Sequence, residues 1–189
     1  MKKILSIWLL LLSLPLIPAD FEDDIVEKIN YFRRQHKVPR LKLNKDLSTA
    51  AMEAAYVYAL GKFAYVDNPL SPYTENGCIM SIRHPPTDCI EKWYNEGASY
   101  DFKNPNPSIY NREFAVLMWR SSREVGIGYA MTPDLMSYCM IVRLAPAGLQ
   151  DGEFEQNVTP RNQSNNMQIS EDVIKFLWIS VLLQLIIVT

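Results

Sequence analysis

The sequence predicts an α+β fold, an α-β-α sandwich in which a small antiparallel sheet lies between helices. Two observations predict it. Between Ile25 and Tyr58, apolar residues recur at the spacing of amphipathic helices. Between Val125 and Leu144, two runs with strand-like alternation flank the turn sequence Thr132-Pro133-Asp134, which indicates a hairpin. The length of 189 residues suits one domain with short appendages.

The first two predicted helices have clear signals at their ends. Acidic residues lie at the start of the first helix, basic residues lie at its end, and Pro39 closes it, an order of charges that suits the helix dipole. Its apolar positions are Ile25, Val26, Ile29 and Phe32. The second helix is predicted to begin at the N-cap Asn44 and to end at Gly61, with alanines along one face that allow close packing.

Two further helices are predicted before the hairpin. Pro85-Pro86-Thr87 introduces the third, in which Asp88 and Glu91 resemble a capping box. One face of this helix combines Ile90, Trp93 and Glu96, so we expect a carboxylate on its buried side. A short fourth helix is predicted over residues 112–120.

The N-terminal segment has the pattern of a signal peptide. Lys2 and Lys3 precede an apolar run over residues 4–17, and Pro18-Ala19 places a small residue at the expected cleavage site. We therefore assign residues 1–19 to a removable signal peptide, with an uncleaved signal anchor as the alternative. Both interpretations direct the chain into the secretory pathway, to the extracellular side or the cell surface.

The C-terminal segment predicts membrane attachment. After a domain over residues 20–158 we expect a polar stalk over 159–172 and a hydrophobic tail over 173–189. The tail is shorter than the roughly 20 residues that span a bilayer. It fits a glycosylphosphatidylinositol (GPI) signal, with Ser164-Asn165-Asn166 as the attachment region. A retained membrane helix and a soluble amphipathic tail are the alternatives.

The stalk and the cysteines suggest covalent modifications of a secreted protein. Sequons at Asn157 and Asn162 predict glycosylation. Three cysteines allow at most one intramolecular disulfide. Cys78 and Cys139 fall on predicted strands of one sheet, whereas Cys89 opens the third helix, so Cys78–Cys139 is the expected pair. Three buried free thiols remain the alternative.

Several functional classes find little support in the residues. The net charge of −2 gives no reason to expect nucleic-acid binding. No Ser or Cys has a histidine in a recognisable nucleophile arrangement. Gly126 and Gly128 lack the third glycine and the strand-to-helix context of a phosphate-binding loop. We expect neither a catalytic residue nor a cofactor.

Seven segments occur in the order that is typical of one known family. They are Leu41–Ser48, Thr74–Asn76, Trp93–Glu96 with Tyr100–Phe102, Glu113–Trp119, Ser121–Gly128, Arg143–Gly148 and Glu153–Val158. Together they resemble the CAP superfamily of cysteine-rich secretory, antigen 5 and pathogenesis-related 1 proteins, and in particular its Golgi-associated plant-pathogenesis-related branch. The resemblance covers residues 21–158 and implies the α-β-α sandwich of that family.

The resemblance also implies a cleft with two histidines and two glutamates, which in the family often binds a divalent metal. Glu75 and Glu96 match the two acids by position, and Glu113 occupies the position of one histidine. The other histidine position falls near Ala64-Tyr65, so both imidazoles are missing. We expect Glu75, Glu96 and Glu113 around one concavity as a remnant of this site.

Such a remnant is a poor zinc site, because zinc favours nitrogen and sulfur donors. One interpretation is a degenerate cleft, in which Glu75 and Glu96 bond to the backbone and Glu113 faces solvent. The other is a weak site for a hard cation such as Ca²⁺ or Mg²⁺. His36 resembles a loop histidine of the family with a packing role. His84 is expected in an exposed loop, from which it could reach the cleft.

The resemblance implies a function without catalysis: binding of a sterol or another lipid, or of a protein partner, by an extracellular domain that its tail holds at a membrane. The alternative is a divalent-metal-dependent hydrolase that uses the acidic cleft. A purely structural partner-binding module is the third class.

Overall fold

A computed structural model describes residues 21–61, 70–106 and 108–162. In chain order its elements are α1 (Phe21–Gln35), β1 (Lys42–Leu43), α2 (Lys45–Ala59), β2 (Thr74–Ser81), α3 (Thr87–Asn95), a 3-10 turn (Glu96–Ser99), α4 (Arg112–Met118), β3 (Glu124–Met131), β4 (Ser137–Ala145) and α5 (Phe154–Asn157). The predicted signal peptide, the region 163–172 and the hydrophobic tail lie outside the described residues.

The four strands form one sheet in the order β1-β3-β4-β2. The pairs β3–β4 and β2–β4 are antiparallel, as predicted. The two-residue strand β1 is instead parallel to β3, with Lys42 opposite Glu124. The sheet is therefore mixed, because α2, β2, α3 and α4 separate β1 from β3 and a long crossover of this kind permits parallel pairing.

Helices cover both faces of the sheet, which confirms the predicted sandwich. On one face, the alanines of α2 pack with residues of β4; this layer comprises Ala51, Ala55, Ala59, Cys139 and Ile141. The other face packs against α1, α3 and α4 in a larger core that includes Trp93, Phe114 and Trp119. Alternation along β4 assigns its successive side chains to the two layers.

The ends of the helices match the predictions in part. The Asn44 side chain accepts a hydrogen bond from the Leu47 backbone N–H at 3.0 Å, which confirms this N-cap. The predicted capping box of Asp88 and Glu91 is wrong, because α3 begins without a side-chain cap. Glu91 instead forms an ion pair with Lys28 of α1, which links the two helices.

The disulfide joins Cys78 to Cys89, with the Cα atoms 6.1 Å apart, so the predicted Cys78–Cys139 pair is wrong. In the sheet, Cys78 lies opposite Met140, one residue away from Cys139. A shift of one residue reverses the face to which a strand side chain points. Cys139 therefore faces α2 as a buried free thiol, whereas Cys78 faces α3 and reaches Cys89.

The folded domain extends beyond the predicted boundary at residue 158. The Thr159 hydroxyl donates to the His36 backbone carbonyl at 3.0 Å, and the Asn162 backbone N–H donates to the Gln35 carbonyl at 2.9 Å. Residues 159–162 are thus fastened to the end of α1. The predicted stalk cannot begin before residue 163.

Glycosylation at Asn157 is incompatible with this fold. Asn157 is 1% exposed. Its side-chain oxygen accepts hydrogen bonds from the backbone N–H and the hydroxyl of Ser121, and its amide nitrogen donates to the Glu153 carbonyl. A glycan on that nitrogen would have to occupy the packed interior, so the prediction is wrong for Asn157. Asn162 is half-buried, and its glycosylation stays a prediction.

Candidate functional site

Two of the three predicted cleft glutamates form a pair. Glu96 begins the 3-10 turn after α3, and Glu113 lies in the first turn of α4. The Asn76 side-chain amide, on β2, donates to the Glu113 backbone carbonyl at 2.9 Å and holds the start of α4 against the sheet. This arrangement brings the carboxyl groups of Glu96 and Glu113 within hydrogen-bonding contact.

The pair binds a proton more tightly than an isolated carboxylate. Burial, followed by the charge and the hydrogen bond of Glu113, raises the pKa of Glu96 from its ordinary 4.5 to about 7, although the Lys92 ammonium and the Phe114 backbone N–H act in the opposite direction. The Glu96 Oε2 atom is buried and has no hydrogen-bond donor in the described part of the chain. The raised pKa favours a protonated Glu96, which can donate a hydrogen bond to Glu113.

Glu75 is not part of this pair. Its carboxylate accepts hydrogen bonds from the Tyr58 hydroxyl at 2.8 Å and from the Arg143 Nε at 2.9 Å. Successive strand residues face opposite sides of a sheet, and the neighbouring Asn76 points to α4. Glu75 therefore faces α2. The expectation of three carboxylates around one concavity is wrong, and so is the expectation that backbone groups hold Glu75.

This donor set does not fit the zinc site that the family resemblance implies. Glu96, whose pKa is raised, and Glu113 supply two carboxyl groups, and Glu75 lies on the other face of the sheet. No three His, Cys, Asp or Glu side chains converge on a common point within residues 21–61, 70–106 and 108–162. We therefore derive no chemistry from a metal in this region.

His36 has the packing role that the resemblance implies. It is 4% exposed, its Nδ1 lies 2.6 Å from the Thr159 carbonyl oxygen, and its Nε2 lies 3.2 Å from the Tyr94 hydroxyl. Burial lowers its pKa despite the hydrogen bond to Thr159, so the ring is neutral at physiological pH. The neutral ring donates from Nδ1 and accepts at Nε2. His84 lies in an exposed turn, 3.3 Å from Asp88, as its loop position predicted.

A small aromatic pocket lies between the end of α1, the end of α3 and α4. It encloses about 250 Å³ and is lined by His36, Tyr94, Asn95, Gly97, Ala98, Phe102, Phe114 and Arg161. Tyr94 and Phe102 belong to the segments that resemble the CAP superfamily, but only the structure shows that their rings line the same cavity.

A larger groove runs along the outer face of α2. It has a volume of about 570 Å³ and is lined by Glu22, Lys45, Ser48, Thr49, Met52, Glu53 and Tyr56. The apolar part is Met52 and Tyr56, which are 46% and 62% exposed; the exposed Val57 follows on the same helix, and the exposed Leu60 is its C-cap. Sequence analysis missed this groove, although the apolar residues on both sides of α2 were a visible signal.

Comparison with known proteins identifies the family. The sequence profile of the cysteine-rich secretory protein family, CAP, matches residues 26–142. The chain belongs to the CAP family. Proteins of this family are generally not classical enzymes, and its homologues are typically secreted or extracellular.

Two CAP relatives illustrate the extent of the similarity. The chain is 29% identical over 148 residues to human (Homo sapiens) Golgi-associated plant pathogenesis-related protein 1, which covers 74% of this chain and 93% of that protein. It is 31% identical over 143 residues to Protein PRY2 of Saccharomyces cerevisiae, which covers 75% of this chain but only 42% of the yeast protein. The chain thus spans less than half of PRY2.

Solved CAP structures share the fold. MpPR-1i superimposes with a TM-score of 0.52 at 18% identity, over 78% of this chain and 99% of that one. BmVAL-1 superimposes with a TM-score of 0.58 at 18% identity, over 79% of this chain and 86% of BmVAL-1. At this identity the likeness concerns the fold alone.

The Glu96–Glu113 pair makes one direct prediction. An unfolded chain releases the Glu96 proton near pH 4.5, whereas the folded protein keeps it until about pH 7. The pair therefore favours the folded state fully at low pH, and its contribution falls as the pH rises from 4.5 to 7. Glu96→Gln keeps a neutral donor at every pH. We expect it to raise the free energy of unfolding by about 1 kcal/mol at pH 8 and to leave it unchanged at pH 4, a value well below the full shift because Glu96 is partly solvated.

Denaturant titrations at the two pH values measure this effect. Glu155→Gln, at an exposed position of α5, is the matched control and should change stability equally at both. If Glu96→Gln were less stable than the wild type at pH 8, the hypothesis that Glu96 and Glu113 share a proton in the folded state would be contradicted.

Proposed function

We propose that this chain is a non-enzymatic, extracellular CAP domain, held at a membrane by its C-terminal tail, that binds a sterol or a similar lipid in the groove along α2. The exposed apolar side chains of Met52 and Tyr56 in that groove carry the proposal. The predicted signal peptide and the family's typical secretion support the extracellular location.

The groove suits a rigid apolar ligand in size and chemistry. Its volume of about 570 Å³ falls within the roughly 300–1,000 Å³ of small-molecule sites, whereas the aromatic pocket of about 250 Å³ falls below it. The Met52 side chain adapts its shape to a ligand. Glu53 lies along the same groove, and its exposed carboxylate can accept a hydrogen bond from a single ligand hydroxyl.

The exposed apolar face of α2 points away from the alanines that pack on the sheet, and its one hydrogen bond to a described strand is the one that the Met52 Sδ atom accepts from the Tyr129 backbone N–H at 3.4 Å. Ala51, Ala55 and Ala59 make the contact with the sheet from the opposite side of the helix and are buried. Met52 and Tyr56 follow them by one residue and face outward. Exposed apolar patches of this kind are typical of binding surfaces.

The alternative, a divalent-metal-dependent hydrolase, is disfavoured because Glu75 lies on the opposite face of the sheet from Glu96 and Glu113, so the acidic cleft lacks its third carboxylate. A metal-free hydrolase that uses only Glu96 and Glu113 is disfavoured as well. Two carboxyl groups that cleave a glycosidic bond stand about 5 Å or more apart so that the substrate can lie between them. A directly hydrogen-bonded pair leaves no such space. Glu75, which bonds to Tyr58 and Arg143, lies on the other face of the sheet and cannot replace either member.

Membrane attachment rests on the tail. None of the helices in the described ranges is long and apolar enough to cross a bilayer. We propose the hydrophobic tail, residues 173–189, as the anchor because of its apolar composition. Release of the full-length protein from cells by a phosphatidylinositol-specific phospholipase would support a GPI anchor, and resistance would favour a retained helix.

Titration with a fluorescent sterol tests the binding proposal. We expect dehydroergosterol to bind the purified full chain, and Tyr56→Glu to weaken the affinity by about tenfold or more, because the new charge must be desolvated in the groove. Ile109→Glu, at an 81% exposed position away from the groove, is the matched control and should bind as the wild type does.

Each failure of this test has a distinct meaning. Equal binding by Tyr56→Glu and the control would locate the ligand elsewhere. An absence of sterol binding by the wild-type chain would reject the lipid proposal and favour the protein-partner class.

A further inference from the structure

Four aromatic rings line the small pocket between the end of α1, the end of α3 and α4. The Phe114 ring lies at the centre of this group. Its centroid is 5.6 Å from that of His36, 6.0 Å from that of Tyr94 and 6.2 Å from that of Phe102. These rings are inclined to the Phe114 ring by 55° to 88°. The pocket therefore presents both ring faces and ring edges, the surfaces that a further aromatic ring prefers to contact.

The size of the pocket suits a ligand with one ring. An apolar cavity of about 150 Å³ holds a benzene molecule. The aromatic pocket, with about 250 Å³, has room for such a ring and one short substituent. Tyr94 and Phe102 are half-buried, so the pocket is open to solvent. A ligand can enter it without unfolding the domain.

Two exposed polar side chains, Asn95 and Arg161, also line the pocket. Within residues 21–61, 70–106 and 108–162, neither side chain has a hydrogen-bond or ion-pair partner. The described lining of the pocket includes no Asp or Glu. No residue of the pocket therefore compensates the positive charge of Arg161.

The Arg161 charge acts on two of the rings. Burial is the main influence on the pKa values of His36 and Tyr94, lowering the first and raising the second. The charge of Arg161 acts to lower both pKa values. The guanidinium is thus close enough to stabilise a negative charge placed beside these rings.

The remaining polar groups of the rings are already engaged. The neutral His36 ring donates from Nδ1 to the Thr159 carbonyl oxygen, and the Tyr94 hydroxyl donates to His36 Nε2. The uncommitted donors of the pocket are therefore the Asn95 amide and the Arg161 guanidinium. A carboxylate accepts hydrogen bonds from both kinds of group, and the planar guanidinium matches its two oxygens.

We propose that this pocket binds a small carboxylic acid whose body is a single aromatic ring. The ring lies among Tyr94, Phe102 and Phe114, and the carboxylate accepts hydrogen bonds from Arg161 and Asn95. A cation of the same size is repelled by the uncompensated charge of Arg161. The pocket shares no lining residue with the groove along α2, so this site does not depend on the lipid proposal.

A ligand-observed NMR titration of the purified full chain tests the ligand class. We expect benzoate to bind at least about tenfold more tightly than benzyl alcohol or benzylammonium, which keep the ring but lack the negative charge. Cyclohexanecarboxylate keeps the charge but has no flat ring, and should bind about threefold more weakly than benzoate or worse. If benzoate did not bind, or if any of these three compounds bound as tightly, the proposal would be overturned.

Removing the charge of Arg161 tests where the carboxylate lies. We expect Arg161→Gln to weaken benzoate binding by about tenfold and to leave the weak binding of benzyl alcohol unchanged. Arg83→Gln, in the exposed turn after β2, removes the same charge at the far end of the sheet and is the matched control. Benzoate affinities that are equal in Arg161→Gln and Arg83→Gln would contradict the proposed site.

Filling the pocket tests where the ring lies. Ala98 is exposed and lines the pocket, so a tryptophan at this position must enter the pocket or cover it. We expect Ala98→Trp to abolish the binding of benzoate and of benzyl alcohol. Met136→Trp, at a 58% exposed position in the β3–β4 turn, is the control and should bind both as the wild type does. Benzoate binding that survives in Ala98→Trp would place the ligand elsewhere and reject this pocket.

Discussion

Replacing Arg33 with alanine should lower the free energy of unfolding by about 3 to 5 kcal/mol, or prevent secretion altogether. Arg33, in the last turn of α1, is 0% exposed. Its guanidinium donates to four backbone carbonyls at 2.7 to 3.2 Å, those of Pro39, Leu117, Trp119 and Ser122. Truncation leaves these acceptors without a donor in the core and creates a cavity beside them.

The charge state of Arg33 reflects the same environment. Burial, and then the nearby positive charges of Arg123 and Arg120, lower its pKa to about 9, so the side chain keeps its proton at physiological pH. Backbone carbonyls, rather than a carboxylate, compensate the buried charge. The planar guanidinium fits several carbonyls at once, which an ammonium cannot do.

Thermal or denaturant unfolding of three variants separates these effects. Arg34→Ala, at the exposed neighbouring position, is the control and should cost less than about 0.5 kcal/mol. Arg33→Lys retains the charge but fewer of the hydrogen bonds, so we expect an intermediate loss. If Arg33→Ala were as stable as Arg34→Ala, the four carbonyls would not depend on the guanidinium.

Gly128→Ala should destabilise the protein by about 3 kcal/mol or more, at the upper end of the range for overpacked cores. A Cβ at position 128 would lie 2.0 Å from the Ala51 carbonyl carbon and 2.1 Å from its oxygen. These are backbone atoms of α2, so no rotamer change relieves the clash. The helix would have to move away from β3, and its contact with the sheet would loosen.

A nearby substitution provides the comparison. Ala130→Ser adds one atom at a half-buried position of the same strand and should cost less than about 1 kcal/mol. Calorimetric melting of the two variants measures the difference. If Gly128→Ala had the same melting temperature as Ala130→Ser, α2 would not approach β3 this closely.

The local signals of the sequence predicted most of the secondary structure. The N-cap Asn44, the alanine face of α2 and the alternation along β3 and β4 each depend on residues that are close together in the chain. The sequence could not reveal the exact register between strands, because register depends on distant partners. Without the register, the sequence led to the wrong disulfide, Cys78–Cys139. In the sheet, Cys78 lies opposite Met140, one residue from Cys139.

The same limit applies to the candidate site. The family resemblance identified Glu96 and Glu113 as neighbours. It did not give the face of the sheet to which Glu75 points, because that face depends on how β2 pairs with β4. When only α1 is considered, Arg33 is a basic residue in the last turn, where its charge interacts favourably with the helix dipole. Its burial depends on hydrogen bonds to carbonyls that lie 6 to 89 residues further along the chain. A local sequence pattern cannot predict such contacts.

The attachment of residues 159–162 to the end of α1 determines where the chain leaves the folded domain. Asn162 leaves the fold beside Gln35, at the end of the sheet where β3 begins and β4 ends. The β3–β4 turn lies about 25 Å away, at the far end of these eight- and nine-residue strands. In the membrane-attached form that we propose, the connection to the tail therefore starts at this end of the sheet, and the exposed Leu135 in the β3–β4 turn lies at the opposite end.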